Sequence, residues 1–204
     1  MRAGIHFILA SIALTLQAGA APATTPAANT AMEKPAPAKA IAPLRVAIDP
    51  DAPPFVYKSG EKLSGLEIEF AHGLGAALGR PLVFVETPTS NLIDALLADK
   101  ADIIMSGYSV DRLRLVRVSF CHPYLRIGEM ALCRRAELSI FANNANLQNV
   151  RVNMGVAAGT TGDMLAASQF SFAGRQTFPS YADAVKALLD KTVDLILADY
   201  PVAV

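Results

Sequence analysis

The amino-acid sequence predicts an α/β fold with mostly parallel sheets, built as two lobes. Three observations lead there. Strand-like and helix-like stretches alternate between residues 44 and 107 in the order β-α-β-α-β, a pattern met by parallel strands with helices on their faces. The alternation starts again after residue 150. Residues 95–107 (ALLADKADIIMSG) also align without gaps to residues 187–199 (ALLDKTVDLILAD). Five positions are identical: Ala95 with Ala187, Leu96 with Leu188, Leu97 with Leu189, Asp102 with Asp194, and Ile104 with Ile196. Helix-turn-strand units share a vocabulary of Leu, Ala and Asp, so the count alone leaves convergence and true repetition both open. The unit occurs twice either way.

The chain begins with a positively charged MRAGIH, an apolar FILASIALTL and a small-residue QAGAA with Ala18 and Ala20 in A-x-A spacing. That is the pattern of a secretory signal peptide over residues 1–20. Its apolar core, about ten residues, is too short for a mature membrane span. No Cys follows it to carry a lipid. Residues 21–42 are rich in Ala, Pro and Thr without apolar period and read as a disordered linker.

The first lobe is expected over residues 43–134. LRVAID (44–49) is a first strand. DPDAPPFVYKSGEKLSG is a Pro- and Gly-rich loop with room for a short hairpin. LEIEFAHGLGAALG has apolar residues at 66, 70, 74 and 78, a helical spacing, with Gly79 as its stop. PLVFVETP is a strand, SNLIDALLADK a helix capped by Ser90 or Asn91, and ADIIMSG a strand. VRVSF and GEMALCRR are two more strands around HPYLRI. The second lobe is expected over 135–204, with the boundary near 134–150. It holds the strand VRVNMGVAAG, the helix TTGDMLAASQF, the short strand RQTFP, the helix SYADAVKALLDKT and the strand VDLILAD.

Composition sets limits. With a formal net charge of zero and no basic stripe, nothing favours nucleic acid as a partner. The three His are scattered at 6, 72 and 122, so no metal site and no cofactor are expected. Export permits a disulfide between Cys121 and Cys133, and two buried free thiols fit the sequence equally well.

In open parallel sheets, ligands bind beyond the carboxyl ends of the strands. Three polar loops fall there. SGYSVDRLR follows ADIIM and brings Ser106, Ser109 and Arg114, whose planar guanidinium suits a carboxylate; Arg112 and Arg117 compete for that task. GTTGD places Thr160 or Thr161 as a helix N-cap, or their hydroxyls and free N–H groups against an anion. It is not a phosphate-binding P-loop, because GxxxxGK[ST] is absent. Asp199 ends an apolar strand, either as cap of a helix starting at Tyr200 or as partner of an ammonium group. Catalytic patterns are weak. GxSxG is absent, and Asp199 is the one acid the sequence places in this cleft.

Taken in this order, these stretches resemble the bacterial family 3 extracellular solute-binding proteins, the amino-acid receptors of ABC importers. The matching segments are LRVAIDPDAPPF, SGLEIEFAHGLGAALG, KADIIMSGYSVDRLRLVRVSFCHPYL, VNMGVAAGTTGDML and VDLILADYPVAV. The resemblance implies a two-lobed, type II periplasmic-binding-protein fold that closes on its ligand. It implies a periplasmic monomer without catalytic activity that delivers an α-amino acid or similar zwitterion to a membrane permease. Position by position, it implies carboxylate contacts from Ser106, the Gly107 N–H, Ser109 and Arg114, further contacts from Thr160 and Thr161, and an ammonium contact from Asp199. Many relatives place an aromatic residue where this chain has Ala52, which leaves Phe55 or Tyr108 as the apolar wall. The family normally continues for several tens of residues past this length, so the second lobe is expected to be incomplete. A periplasmic prephenate or arogenate dehydratase and the sensor domain of a signalling receptor are the alternatives on the same scaffold.

Overall fold

The computed structural model of the protein describes residues 41–142 and 152–203. The expected signal peptide, and the expected linker up to residue 40, lie outside the described residues; Ile41 and Ala42 are exposed coil. The Asn-rich stretch 143–149 also lies outside them.

Strand β1 (Leu44–Ile48) is the centre of the first lobe. It is flanked by parallel strands β5 (Leu82–Glu86) and β6 (Ile103–Ile104), giving the order β5-β1-β6. A central parallel strand is covered on both faces, and the near-unbroken apolar run of β1 meets that demand. Leu44, Val46 and Ile48 face helix α1 (Leu66–Leu78), while Ala47 between them faces Leu92 of helix α2 (Leu92–Leu97). The expected short hairpin is a small antiparallel sheet of β2 (Asp51–Ala52), β3 (Val56–Ser59) and β4 (Lys62–Ser64).

Helix α1 ends at Gly79, whose φ of 60° is left-handed as the sequence predicts. Its buried face is not the 66-70-74-78 stripe. Glu67, Ile68, Ala71 and Gly75 turn inward, because a side chain at Gly75 would come within 2.8 Å of Leu82, and Phe70 and Leu74 instead line a cavity of the first lobe. Asn91 holds the N-cap position of α2, but its side chain makes no capping bond. Residues Thr89–Asn91 form a 3₁₀ turn, and the Asp49 carboxylate at the end of β1 accepts from both the N–H and the hydroxyl of Thr89 at 2.7 Å.

VRVSF is not a strand. The short helix α3 (Arg112–Leu115) runs on into it, with the N–H groups of Arg117 and Val118 both donating to the Arg114 carbonyl. The strand in GEMALCRR, β7 (Glu129–Cys133), pairs antiparallel with β10 (Leu195–Asp199) of the second sheet. It therefore belongs to the second sheet, and the crossover precedes Glu129 rather than falling at 134–150. Sheet order there is β7-β10-β8-β9, with β8 (Asn153–Ala157) and β9 (Gly174–Phe178) parallel to β10. Short helix α4 (Leu138–Phe141), α5 (Thr161–Gln169) and α6 (Tyr181–Leu189) cover this sheet, and α7 (Tyr200–Ala203) follows β10 directly. Cys121 and Cys133 are both free thiols.

The sequence echo is a structural repeat. Its aligned turn residues Asp99 and Lys191 both adopt left-handed φ, 56° and 61°. Asp102 and Asp194 hold the same post in their lobes. Each carboxylate accepts the first strand's N–H (Arg45 at 2.9 Å, Asn153 at 2.8 Å), and each N–H returns a bond to that residue's carbonyl. Asp102 also pairs with the Arg45 and Arg80 guanidiniums, which hold its carboxyl down at about 2. In urea titrations, Asp102→Ala and Asp194→Ala are each expected to lose about 1–2 kcal/mol, Asp102→Ala the more because it also removes close ion pairs with two arginines, against one at 3.6 Å for Asp194.

Candidate functional site

The carboxyl ends of β1 and β6 and the start of α3 face the end of β8, the start of α5 and the end of β10. Between them lies a cavity of about 30 Å³ whose wall includes Arg114 from the first lobe and Asp199 from the second. Room for one or two waters remains, because the lobes touch. The Arg114 guanidinium donates through Nη1 to the Ser109 carbonyl (2.7 Å) and through Nη2 to the Gly159 carbonyl across the cleft (2.8 Å). Gly159 has φ 77°, and a side chain there would stand 2.6 Å from the Ser90 Cα. The Asp51 carboxylate of the first lobe accepts the Tyr181 N–H at the start of α6 (2.8 Å).

Arg114 is only 3% exposed, and its Nε has no partner. Tyr108 lies flat beneath it, with the guanidinium carbon 3.7 Å from the ring centroid, and Phe120 stacks in parallel with Tyr108 at 6.4 Å. This cation–π support fixes the side chain over the cavity. Burial lowers the Arg114 pKa, against the pull of Tyr108, Asp111 and Asp199. Of the competing arginines, Arg112 is exposed and Arg117 pairs with Asp94 at 2.6 Å on the surface.

The other predicted residues divide by what their polar atoms already do. Ser106, Gly107, Tyr108, Ser109, Phe55, Thr160, Thr161 and Asp199 all line the cavity. The Ser106 hydroxyl, however, accepts the Asp49 N–H at 2.8 Å and so ties β6 to β1. Thr160 is the N-cap of α5, and its hydroxyl donates to the Ala157 carbonyl at 2.8 Å and accepts from the Asp163 N–H. The Gly107 N–H interacts with the buried Glu67 carboxyl, whose pKa burial raises. Gly107 is required by space as well as by its φ of 60°, since a side chain would reach within 2.9 Å of the Phe55 ring. Thr161 is freer, with its hydroxyl against the Asp199 and Glu129 carboxyls.

The sequence reading missed Glu129 and Tyr181. Glu129 sits directly opposite Asp199 in the β7–β10 register, so a second acid stands beside Asp199, outside the lining of the cavity itself. Both Glu129 carboxyl oxygens are buried without a partner, as is the Tyr181 hydroxyl. Burial first, then Glu129, pushes the Asp199 carboxyl up to about 6, while Arg114 and Thr161 oppose the rise. Burial likewise raises Glu129. Among the described residues, no group of His, Cys, Asp and Glu is placed to hold a metal ion. A larger cavity of about 600 Å³ lies in the first lobe behind Tyr108, walled mainly by apolar side chains such as Phe70, Leu74, Phe120 and Leu125.

Two α/β lobes meet over the buried Arg114 guanidinium and the half-buried Asp199 carboxyl. The chain belongs to the bacterial extracellular solute-binding proteins, family 3, whose family model matches residues 44–202. It is similar to the cyclohexadienyl dehydratase of Pseudomonas aeruginosa, at 30% identity over 76% of this chain and 59% of that one. It is equally similar to a probable histidine-binding protein of Campylobacter jejuni, at 30% identity over 78% of this chain and 61% of that one. The chain thus spans about three fifths of the length of these curated relatives. Among solved structures, an ancestral amino acid-binding protein described as a precursor of cyclohexadienyl dehydratase matches with a TM-score of 0.75 at 31% identity, over 78% of this chain and 71% of that one. Holo ArgBP from T. maritima matches with a TM-score of 0.70 at 26% identity, over 78% and 70% respectively. The structure is therefore part of the type II periplasmic-binding-protein fold.

Two outcomes are expected. Gly159→Ala forces a left-handed, crowded residue into the lobe contact, so the closed state is disfavoured and the radius of gyration in X-ray scattering increases. Because burial raises the Asp199 carboxyl, the empty protein loses stability as pH rises through about 6. Asp199→Asn is expected to gain about 1–2 kcal/mol of unfolding free energy at pH 7 and nothing below pH ~4, with solvent contact screening the rest.

Proposed function

We propose that this chain captures an α-amino acid, or a similar small zwitterion, by closure of its two lobes and presents it to the permease of an ABC importer. The observation that carries this reading is the placement of Arg114 and Asp199, one from each lobe, on the wall of one small cavity between the lobes. A zwitterion satisfies both at once. An uncharged ligand leaves both desolvated and unpaired, at a cost of roughly several kcal/mol. The binding relatives named for histidine and arginine support the same class.

With the lobes in contact, Arg114 uses the Gly159 carbonyl as its cross-cleft acceptor. Opening the lobes breaks that bond and widens the cavity. A ligand carboxylate then takes its place on the guanidinium, as two parallel charge-assisted hydrogen bonds. Ser109 and Thr161 are the hydroxyls left to assist, and Phe55 and Tyr108 form the wall along the ligand's side chain. The ammonium end lies towards Asp199. Ser106 and Thr160 act through the loops they hold, and Gly107 through the close approach it allows. An importer partner, a periplasmic location and a monomeric state complete the proposal, the first two by likeness to relatives named as periplasmic and as an ABC transporter substrate-binding protein.

A second reading is favoured by one observation, the acid pair Glu129 and Asp199, together with the similarity to cyclohexadienyl dehydratase. A partly protonated carboxyl in a closed site is equipped to act as a general acid in a dehydration. Incubation with arogenate distinguishes the two: a receptor yields no phenylalanine.

Calorimetric titration with the twenty standard amino acids is expected to give heat with at least one of them. Arg114→Ala is expected to weaken that binding by about a hundredfold or more, and Arg114→Lys to fall between, because an ammonium cannot grip a carboxylate with two parallel bonds. Unchanged affinity in Arg114→Ala removes the clamp from the account.

A further inference from the structure

Asp199 and Glu129 are directly opposed residues of antiparallel strands, so their side chains share one face of the sheet. Each Glu129 oxygen is buried with no hydrogen-bond partner, and its Oε2 lies against the first turn of α5, 3.2 Å from where a side chain on Gly162 would begin. The nearest cation, Arg114, spends its Nη groups on the Ser109 and Gly159 carbonyls rather than on either acid. Its own Nε is left unpartnered at 3% exposure on the wall of the cavity. Two ionised carboxylates in such a place repel one another, with only the Thr161 hydroxyl and one guanidinium nearby to offset them. Like charges this close are relieved by retaining a proton between them.

Resting on the amino-acid-binding reading, we propose that Glu129 and Asp199 act as one acidic pair that holds a single proton while the cleft is empty and releases it when a ligand's ammonium group arrives. No covalent bond forms. The ammonium takes the proton's place as the positive partner of the pair, and the proton leaves to solvent. Glu129 is then a positioning residue for recognition of the amino end, acting through Asp199.

The surroundings of the pair are few. Arg114 faces it from α3, the Thr161 hydroxyl from α5 and the Tyr181 hydroxyl from α6. Asp163 of α5 is engaged elsewhere, with Arg175 and the Gly159 N–H. Strand β8 and helix α4 bring no titratable side chain, and α7 brings only the half-exposed Tyr200. Burial raises both acids, and the one hydroxyl and one guanidinium that oppose the rise, Thr161 and Arg114, are shared between them. The proton is released where the empty pair still carries it, so affinity is expected to rise about tenfold per pH unit below the pair's titration and to level off above it.

The test has two arms on the full chain. In the ligand-free protein, infrared difference spectra between pH 5 and pH 8 are expected to show a protonated buried carboxyl that disappears in both Glu129→Gln and Asp199→Asn. Its absence in the wild type, or its persistence in both variants, overturns the pair whether or not any amino acid binds. In calorimetry with L-histidine and L-arginine as probes, run in two buffers of different ionisation enthalpy, about one proton is expected to leave per ligand at pH 5.5 and none at pH 8. L-arginine is the deciding probe, because L-histidine titrates in this range by itself. Glu129→Gln is expected to bind with the proton release lost. Equal proton release in Glu129→Gln and wild type overturns the proposal. Failure of every amino acid to bind, with the infrared band present, overturns the receptor reading instead.

Discussion

The Arg114 guanidinium organises this molecule. It is a permanent charge almost wholly removed from water, and burying such a group is tolerated only when its donors are occupied. The fold supplies one backbone carbonyl from each lobe and an aromatic ring beneath. Ser109 belongs to the loop that carries Arg114, but Gly159 belongs to the other sheet. The closed arrangement is therefore written into the electrostatics of one side chain. The residues around it serve that placement: Ser106 pins the loop after β6 to the end of β1, Gly107 lets Phe55 approach, and Gly159 lets the second lobe reach the Ser90 backbone.

This arrangement makes the site costly to the fold. Arg114 lacks a partner for Nε, Glu129 lacks partners for both oxygens, and Asp199 is held far above its usual carboxyl range. Buried polar groups left unsatisfied cost stability, and they cluster where a ligand is meant to satisfy them. In the proposed receptor, an incoming zwitterion would offer a carboxylate to one and an ammonium to the other. The free energy withheld in the empty cleft is then recovered on binding, so ligand and closure favour each other.

Much of this was legible in the sequence because it is local. The strand and helix order follows from apolar periodicity, Gly79 stops α1 by its left-handed φ, and Thr160 caps α5. The repeated helix-turn-strand unit was visible as five identities, and its meaning became plain only when Asp102 and Asp194 proved to hold equivalent strands. What failed to show was long-range. Glu129 reads as the first residue of an ordinary strand, and only its antiparallel register with β10 sets it opposite Asp199. Tyr181 reads as a helix start, with no local sign that Asp51, 130 residues earlier, takes its N–H. VRVSF has strand composition, but the backbone is committed to the end of α3. The α1 stripe misled for a related reason: Gly75 rather than a large residue decides which face approaches the sheet.

The central claim is that a zwitterion replaces the cross-cleft bond of Arg114. A structure of the protein with bound L-arginine tests it most directly. The account predicts the ligand carboxylate on the Arg114 guanidinium, with the Gly159 carbonyl displaced, and the ligand ammonium beside Asp199. A structure in which Arg114 still bonds both carbonyls, while the ligand occupies the apolar cavity behind Tyr108 or none at all, contradicts it.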